Sequence, residues 1–119
     1  NDEFLKKIMQ MGTLGYPITK IINVLDIENN NDFINDFDNP NHIIYKTYQK
    51  GVDKADFVID SKLFDMAKNG DIKALNKYEL RKKNNILKEE KEKKDKANSA
   101  LTLVQGEAAT PSEQPIQNA

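Results

Sequence analysis

Between Ile44 and Met66 the apolar residues Ile44, Tyr48, Val52, Ala55, Ile59, Leu63 and Met66 recur at steps of 4, 4, 3, 4, 4 and 3. A stripe with a period near 3.5 keeps one face of a helix turned toward a partner helix; a strand, whose side chains alternate every two residues, cannot use it. The spacing predicts one long helix over about residues 40–68, started by Asn39-Pro40, a cap followed by proline. Gly51 interrupts the stripe at a cost of about 1 kcal/mol relative to alanine, which points to a close backbone approach or a kink. Asn69-Gly70-Asp71 then closes this helix with a glycine and caps the next with an aspartate, predicting an αα-hairpin.

Three shorter helices are expected before it. Asp2 to Met11 places apolar residues at 4, 5, 8, 9 and 11 and is stopped by Gly12. Pro17, at a first-turn position, opens PITKIINVLD, with Ile18, Ile21, Ile22 and Leu25 as its buried stripe. After a turn over Glu28 to Asn31, with Asn30 or Asn31 as cap, Phe33, Ile34 and Phe37 form the apolar face of a third helix. The fifth helix runs from about Ile72 into the nineties, with Ile72, Leu75, Tyr78 and Ile86 or Leu87 burying against the fourth. Beyond Leu87 the run KEEKEKKDK is held only by Glu/Lys pairs worth about 0.2–0.5 kcal/mol each. Leu101, Leu103 and Val104 suit a short strand or a docking peptide, and from Gly106 the composition is that of a flexible tail. The chain is thus all-α: residues 1–39 a three-helix unit, 40–97 a helical hairpin and 98–119 an extended tail.

Composition narrows the function. With 119 residues and a mean hydropathy of −0.73, the chain buries a modest core, so self-association is an expected source of stability. Without cysteine there is no disulfide, thiolate nucleophile or Cys-ligated metal. No apolar run approaches the roughly 20 residues of a membrane span, and no signal peptide is visible. The chain begins at Asn1 rather than Met, as processing or a missing N-terminal piece would each produce. Residues 1–38 hold seven acids against three bases, whereas residues 71–96 hold ten bases against six acids. That dipole suits a polyanion partner at one end, head-to-tail subunit contacts, or simply solvated helix faces.

The string from Gly15 to about Tyr78 resembles the small subunit of phage terminases. GYPITKIINVLDIENNNDFINDF is similar to that family's helix-turn-helix, with Ile21 and Leu25 in the second helix, Ile27 in the turn and Phe33 in the third-helix core. NPNHIIYKTYQKGVDKADFVIDSKLFDMAKNGDIKALNKY carries the family's proline start, glycine and Ala-Asp pair (Gly51, Ala55-Asp56), then Asn69-Gly70-Asp71 and Ala74. The resemblance covers about half the chain and implies a non-catalytic partner of the packaging motor. Such a protein assembles as a ring, engages viral double-stranded DNA through residues 18–37 and oligomerises through its fourth and fifth helices. Its C-terminal segment contacts the large subunit, in the host cytoplasm during phage assembly.

The chain departs from that pattern at the recognition helix. DIENNNDFINDFDNP holds Asp26, Glu28, Asp32, Asp36 and Asp38 and no Lys or Arg, although Asn31, Asn35 and Asn39 suit adenine edges. A like-charge contact at 4 Å costs about 1 kcal/mol even in water, and non-specific DNA binding is worth only about 5–8 kcal/mol. Several carboxylates beside phosphates would cancel it. DNA contact is therefore expected from Lys6, Lys7, Lys20, Lys73, Lys77, Arg81, Lys82 and Lys83, with Lys73, Lys77 and Arg81 sharing one helix face. Oligomer contacts are expected from Ile44, Tyr48, Val52, Ile59, Leu63, Met66, Leu75 and Tyr78, and partner docking from Leu101, Leu103 and Val104.

No enzyme signature accompanies these candidates. Asp36, Asp38 and Asn41 alternate as calcium ligands do, but an EF-hand's glycine and final glutamate are missing, so no metal is expected. The lone His42 has no nucleophile beside it and suits an exposed cap; no glycine-rich phosphate loop occurs and no cofactor is implied. The competing reading is a virion structural or adaptor protein that uses the same scaffold for protein contacts, its acidic helix docking a basic partner.

Overall fold

Asn1 opens the first helix by accepting hydrogen bonds on Oδ1 from the N–H groups of Glu3 (2.8 Å) and Phe4 (3.2 Å), with Asp2 and Glu3 favourably placed against the helix dipole. The computed structural model describes residues 1–108, all of its regular elements helical: α1 Asp2–Leu14, α2 Ile18–Leu25, α3 Asn30–Phe37, α4 Ile43–Lys68 and α5 Ile72–Ala108. Two compact units divide the chain, Asn1–Leu75 and a second beginning at Asn76. α4 therefore belongs with the first three helices, not with a separate unit starting at residue 40.

Gly12, the expected stop of the first helix, lies inside α1 and is buried; the stop is Gly15, at φ 68°. The Gly15 and Tyr16 N–H groups donate to the carbonyls of Gly12 and Met11, closing the helix as a left-handed glycine does. Pro17 caps α2 rather than entering it, and Asp26 ends it at φ 53°. α3 is capped by Asn29, one residue before the expected candidates: its Oδ1 accepts from Asp32 N–H at 3.2 Å, and its Nδ2 donates to the Asp32 carboxylate at 2.8 Å. Asn39-Pro40 forms a turn, and α4 starts three residues later, where His42 Nδ1 accepts from Ile44 N–H at 3.1 Å.

The core of the first unit joins Ile8 and Met11 of α1, Ile21 of α2 and Phe33 of α3, with Phe4, Tyr16, Ile18, Ile22, Leu25, Ile27, Phe37, Ile44 and Tyr48 packed around them. Ile21 and Phe33 are thus buried as read from the sequence, and Leu25 and Ile27 pack against them half-buried. A chain of aromatic contacts runs Phe4–Phe33–Phe37–Tyr48, with centroid separations of 6.4, 6.0 and 4.9 Å. Tyr48 anchors it by donating its hydroxyl to the Tyr16 carbonyl at 2.9 Å.

The main partner of α4 in this unit is α1. Gly12 lies against the backbone of Tyr48, and Gly51 against the backbone of Met9 and Thr13, so neither position has room for a Cβ. The close approach expected of Gly51 is therefore made by α1. Ile44 and Tyr48 of the stripe serve this internal core; Val52 and Leu63 are half-buried, and Ile59 and Met66 are 46% and 37% exposed. A 3.5-residue period demands a partner helix without saying which one.

Asp71 caps α5 as expected, accepting from Ala74 N–H at 3.0 Å. Ala74 is the buried residue there, whereas Ile72 and Leu75, expected inside, are 65% and 38% exposed. Residues two apart stand roughly 200° round a helix, so a register that buries Ala74 turns Ile72 outward. In the second unit Tyr78 and Arg81 are half-buried, and every residue from Lys82 to Asn98 is exposed. α5 runs on through Leu101, Leu103 and Val104 to Ala108, where a strand or extended tail was expected. No proline lies between Ile72 and Ala108, and Ala, Leu and Gln are good helix formers. The rest of the expected tail, 109–119, lies outside the described residues.

Candidate functional site

The contact of Gly12 and Gly51 brings two helix backbones together, and a groove lies between α1 and α4 beside that crossing. Leu5 and Met9 from α1 and Ile43 and Thr47 from α4 form its largely apolar floor; Lys6, Lys46 and Lys50 flank it, with Asp2 also in the lining. It measures about 430 Å³ and is open to solvent. Lys46 and Lys50 are one turn apart on α4, and the packing of α1 adds Lys6. Among the described residues none of these three lysines has a hydrogen-bond or ion-pair partner.

Cations over an apolar floor attract an anion more strongly than cations in open water. A pair at 4 Å is worth about 1 kcal/mol at water's dielectric and about 4 kcal/mol at the effective value of 20 near a protein surface. The groove can therefore hold anionic groups, and its lining contains no Arg, Asn or Gln for base edges.

α3 presents the opposite charge. Asn31, Asp32, Asn35 and Asp38 are exposed, as is Glu28 in the preceding turn; Asp36 is partly covered, one carboxylate oxygen 3.6 Å from His42 Nε2. The hollow lined by Glu28, Asn29, Asn30 and Asn31 is polar and shallow.

Of the cations expected from the sequence, only Lys6 lies in the groove. Lys7 is exposed one residue further round α1, and Lys20 Nζ sits 4.5 Å from the centre of the Tyr16 ring. Lys73, Lys77, Lys82 and Lys83 are exposed on α5, with Lys82 Nζ 5.9 Å from the Tyr78 ring centre, while Arg81 already has a partner within the chain. Lys46 and Lys50 were missed. Their spacing of four, continued by Lys54, was the available signal, but their proximity to Lys6 exists only once α1 is laid on α4.

His42 is engaged as a helix cap, and Tyr48, its hydroxyl pushed above the usual tyrosine range by burial, is engaged in the core. Among the described residues no group of three or more His, Asp or Glu is placed to hold a metal ion, and no helix is long and apolar enough to cross a membrane. Comparison with protein families, with curated proteins and with solved structures found no match to this chain.

Proposed function

We propose that this chain is a non-catalytic, small-terminase-like phage protein that self-associates and helps present viral DNA to the packaging motor. The observation that carries the reading is the α1–α4 groove, whose three unpaired lysines are a ready phosphate contact. In this reading α2 and α3 form the helix-turn-helix, but α3, with its exposed carboxylates, stays out of the major groove. Lys6, Lys46 and Lys50 hold the duplex by its backbone, without reading sequence. α4 and α5 serve assembly, and the segment holding Leu101, Leu103 and Val104 meets the large subunit or another virion protein.

Binding of the full-length protein to a short DNA duplex across a salt series tests this. Each phosphate contact contributes a slope of about −0.9 in log K against log salt, so one groove gives about −2.7. Lys46→Glu with Lys50→Glu is expected to remove most of the binding and flatten the slope. Equal binding by this variant and the parent, or no binding at low salt, sinks the DNA reading. The acidic face of α3 favours a second reading, a virion adaptor that docks a basic protein, and that reading leads if duplex DNA is ignored.

A further inference from the structure

The first compact unit carries two surfaces of opposite charge, each without a counterpart among the described residues. One is the α1–α4 groove, with Lys6, Lys46 and Lys50 around Leu5, Met9 and Ile43. The other is α3 and the turn before it, where Glu28, Asp32 and Asp38 are exposed and pair with no Lys or Arg among the described residues. The two also agree in size. The eight residues of α3 and the eight of α4 from Ile43 to Lys50 each make a rod about 12 Å long. Phe33, buried in the core, pins α3 in place, so α3 cannot turn into the groove of its own chain.

We propose that the groove of one copy receives α3 of a second copy, with Asp32 and Asp38 facing Lys6, Lys46 and Lys50. The two surfaces differ, so the contact is head-to-tail: each pair leaves one groove and one α3 open, and the assembly grows until it closes as a ring or runs on as a filament. This gives the acidic helix a task that needs no DNA. Where the groove also binds phosphate, a part that rests on the function proposed above, DNA and the neighbouring α3 exclude each other.

Sedimentation velocity on the full chain tests this at low and at high salt. The parent is expected to self-associate with rising concentration at low salt and to disperse at about 0.5 M, where the Debye length falls well below 10 Å. Lys46→Glu with Lys50→Glu should weaken association at least tenfold, as should Asp32→Lys with Asp38→Lys, each checked for retained helix by far-ultraviolet circular dichroism, since Asp32→Lys also gives up the exposed bond from Asn29 Nδ2. Mixing the two variants restores opposite charges across the contact and should restore association. A parent that stays monomeric at low salt, variants that associate like the parent, or a mixture that does not recover overturns the proposal. Duplex binding, read separately, keeps the two ideas apart: DNA bound by a monomeric parent overturns this contact and leaves of the proposed function only its phosphate-holding groove, and self-association without DNA binding leaves only this contact.

Discussion

Gly12 and Gly51 show how one residue type does opposite work in neighbouring places. Replacing a helix-interior glycine with alanine ordinarily stabilises a helix by about 1 kcal/mol. Here the new Cβ would meet the backbone of Tyr48 or of Met9, and backbone cannot step aside as a side chain can. Gly12→Ala and Gly51→Ala are each expected to lower stability by about 1–3 kcal/mol, the cost of overpacking, read as a lower urea midpoint. The opposite sign is expected at Asp26, held at φ 53° without being glycine. Asp26→Gly removes a left-handed strain of roughly 1–2 kcal/mol, less the entropy glycine adds to the unfolded chain, and should raise the midpoint slightly. Tyr48→Phe loses the bond to the Tyr16 carbonyl, about 1 kcal/mol. Burial also raises the Tyr48 pKa above 10.0, so the folded state holds that proton more tightly than the unfolded state. The resulting stability is fully present below pH 10 and is lost as pH climbs through the folded value. Tyr48→Phe should show less of that alkaline decline in chemical unfolding at pH 9 and pH 11.

At the scale of elements, local chemistry was legible and partnership was not. The cap at Asp71, the closing glycine after Asn69 and the buried stripe of Ile21 and Phe33 follow from side chains acting on their own turn or face, and they stand where the sequence put them. Gly12 was misread because a glycine that stops a helix and one that lets a second helix close in look the same within one segment. The stripe of α4 announced a partner without naming α1, and Ile44 and Tyr48 went to the internal core. The groove was illegible for the same reason: Lys46 and Lys50 share a face of α4, but Lys6 arrives through tertiary packing. The caps remain testable one by one. Asn29→Ala removes an acceptor for Asp32 N–H and a donor to its carboxylate, both exposed. A loss of about 1 kcal/mol is expected in urea unfolding, and an unchanged midpoint would mean that water replaces the cap without cost.

Across the whole molecule, stability is expected to follow burial, and burial is concentrated in the first unit. Ile8 and Ile21 are fully enclosed there, and the crossing of α1 with α4 is reinforced by Tyr48 and by Thr13, whose hydroxyl donates to the Gly51 carbonyl at 3.4 Å. In α5, by contrast, every side chain from Asn84 to Asn98 is exposed, so this stretch depends on backbone hydrogen bonds and pairs such as Lys91–Asp95 at 3.2 Å. Such pairs contribute a few tenths of a kcal/mol each and are screened by salt, and helix ends open with little free energy when no packing holds them. Native-state hydrogen exchange should therefore grade the chain. Amides of α1 near Ile8 and Met11, and of α4 near Tyr48, are expected to exchange only through global opening, whereas those from 84 to 98 exchange orders of magnitude faster and faster still at 0.5 M salt. Equal protection of 84–98 in a dilute monomer would show a stabilising contact for α5 that its exposed side chains do not provide. Protection that grows with protein concentration would instead place that helix in an interface between copies, where Leu80, Ile86 and Leu87, each more than half exposed in one chain, would be covered.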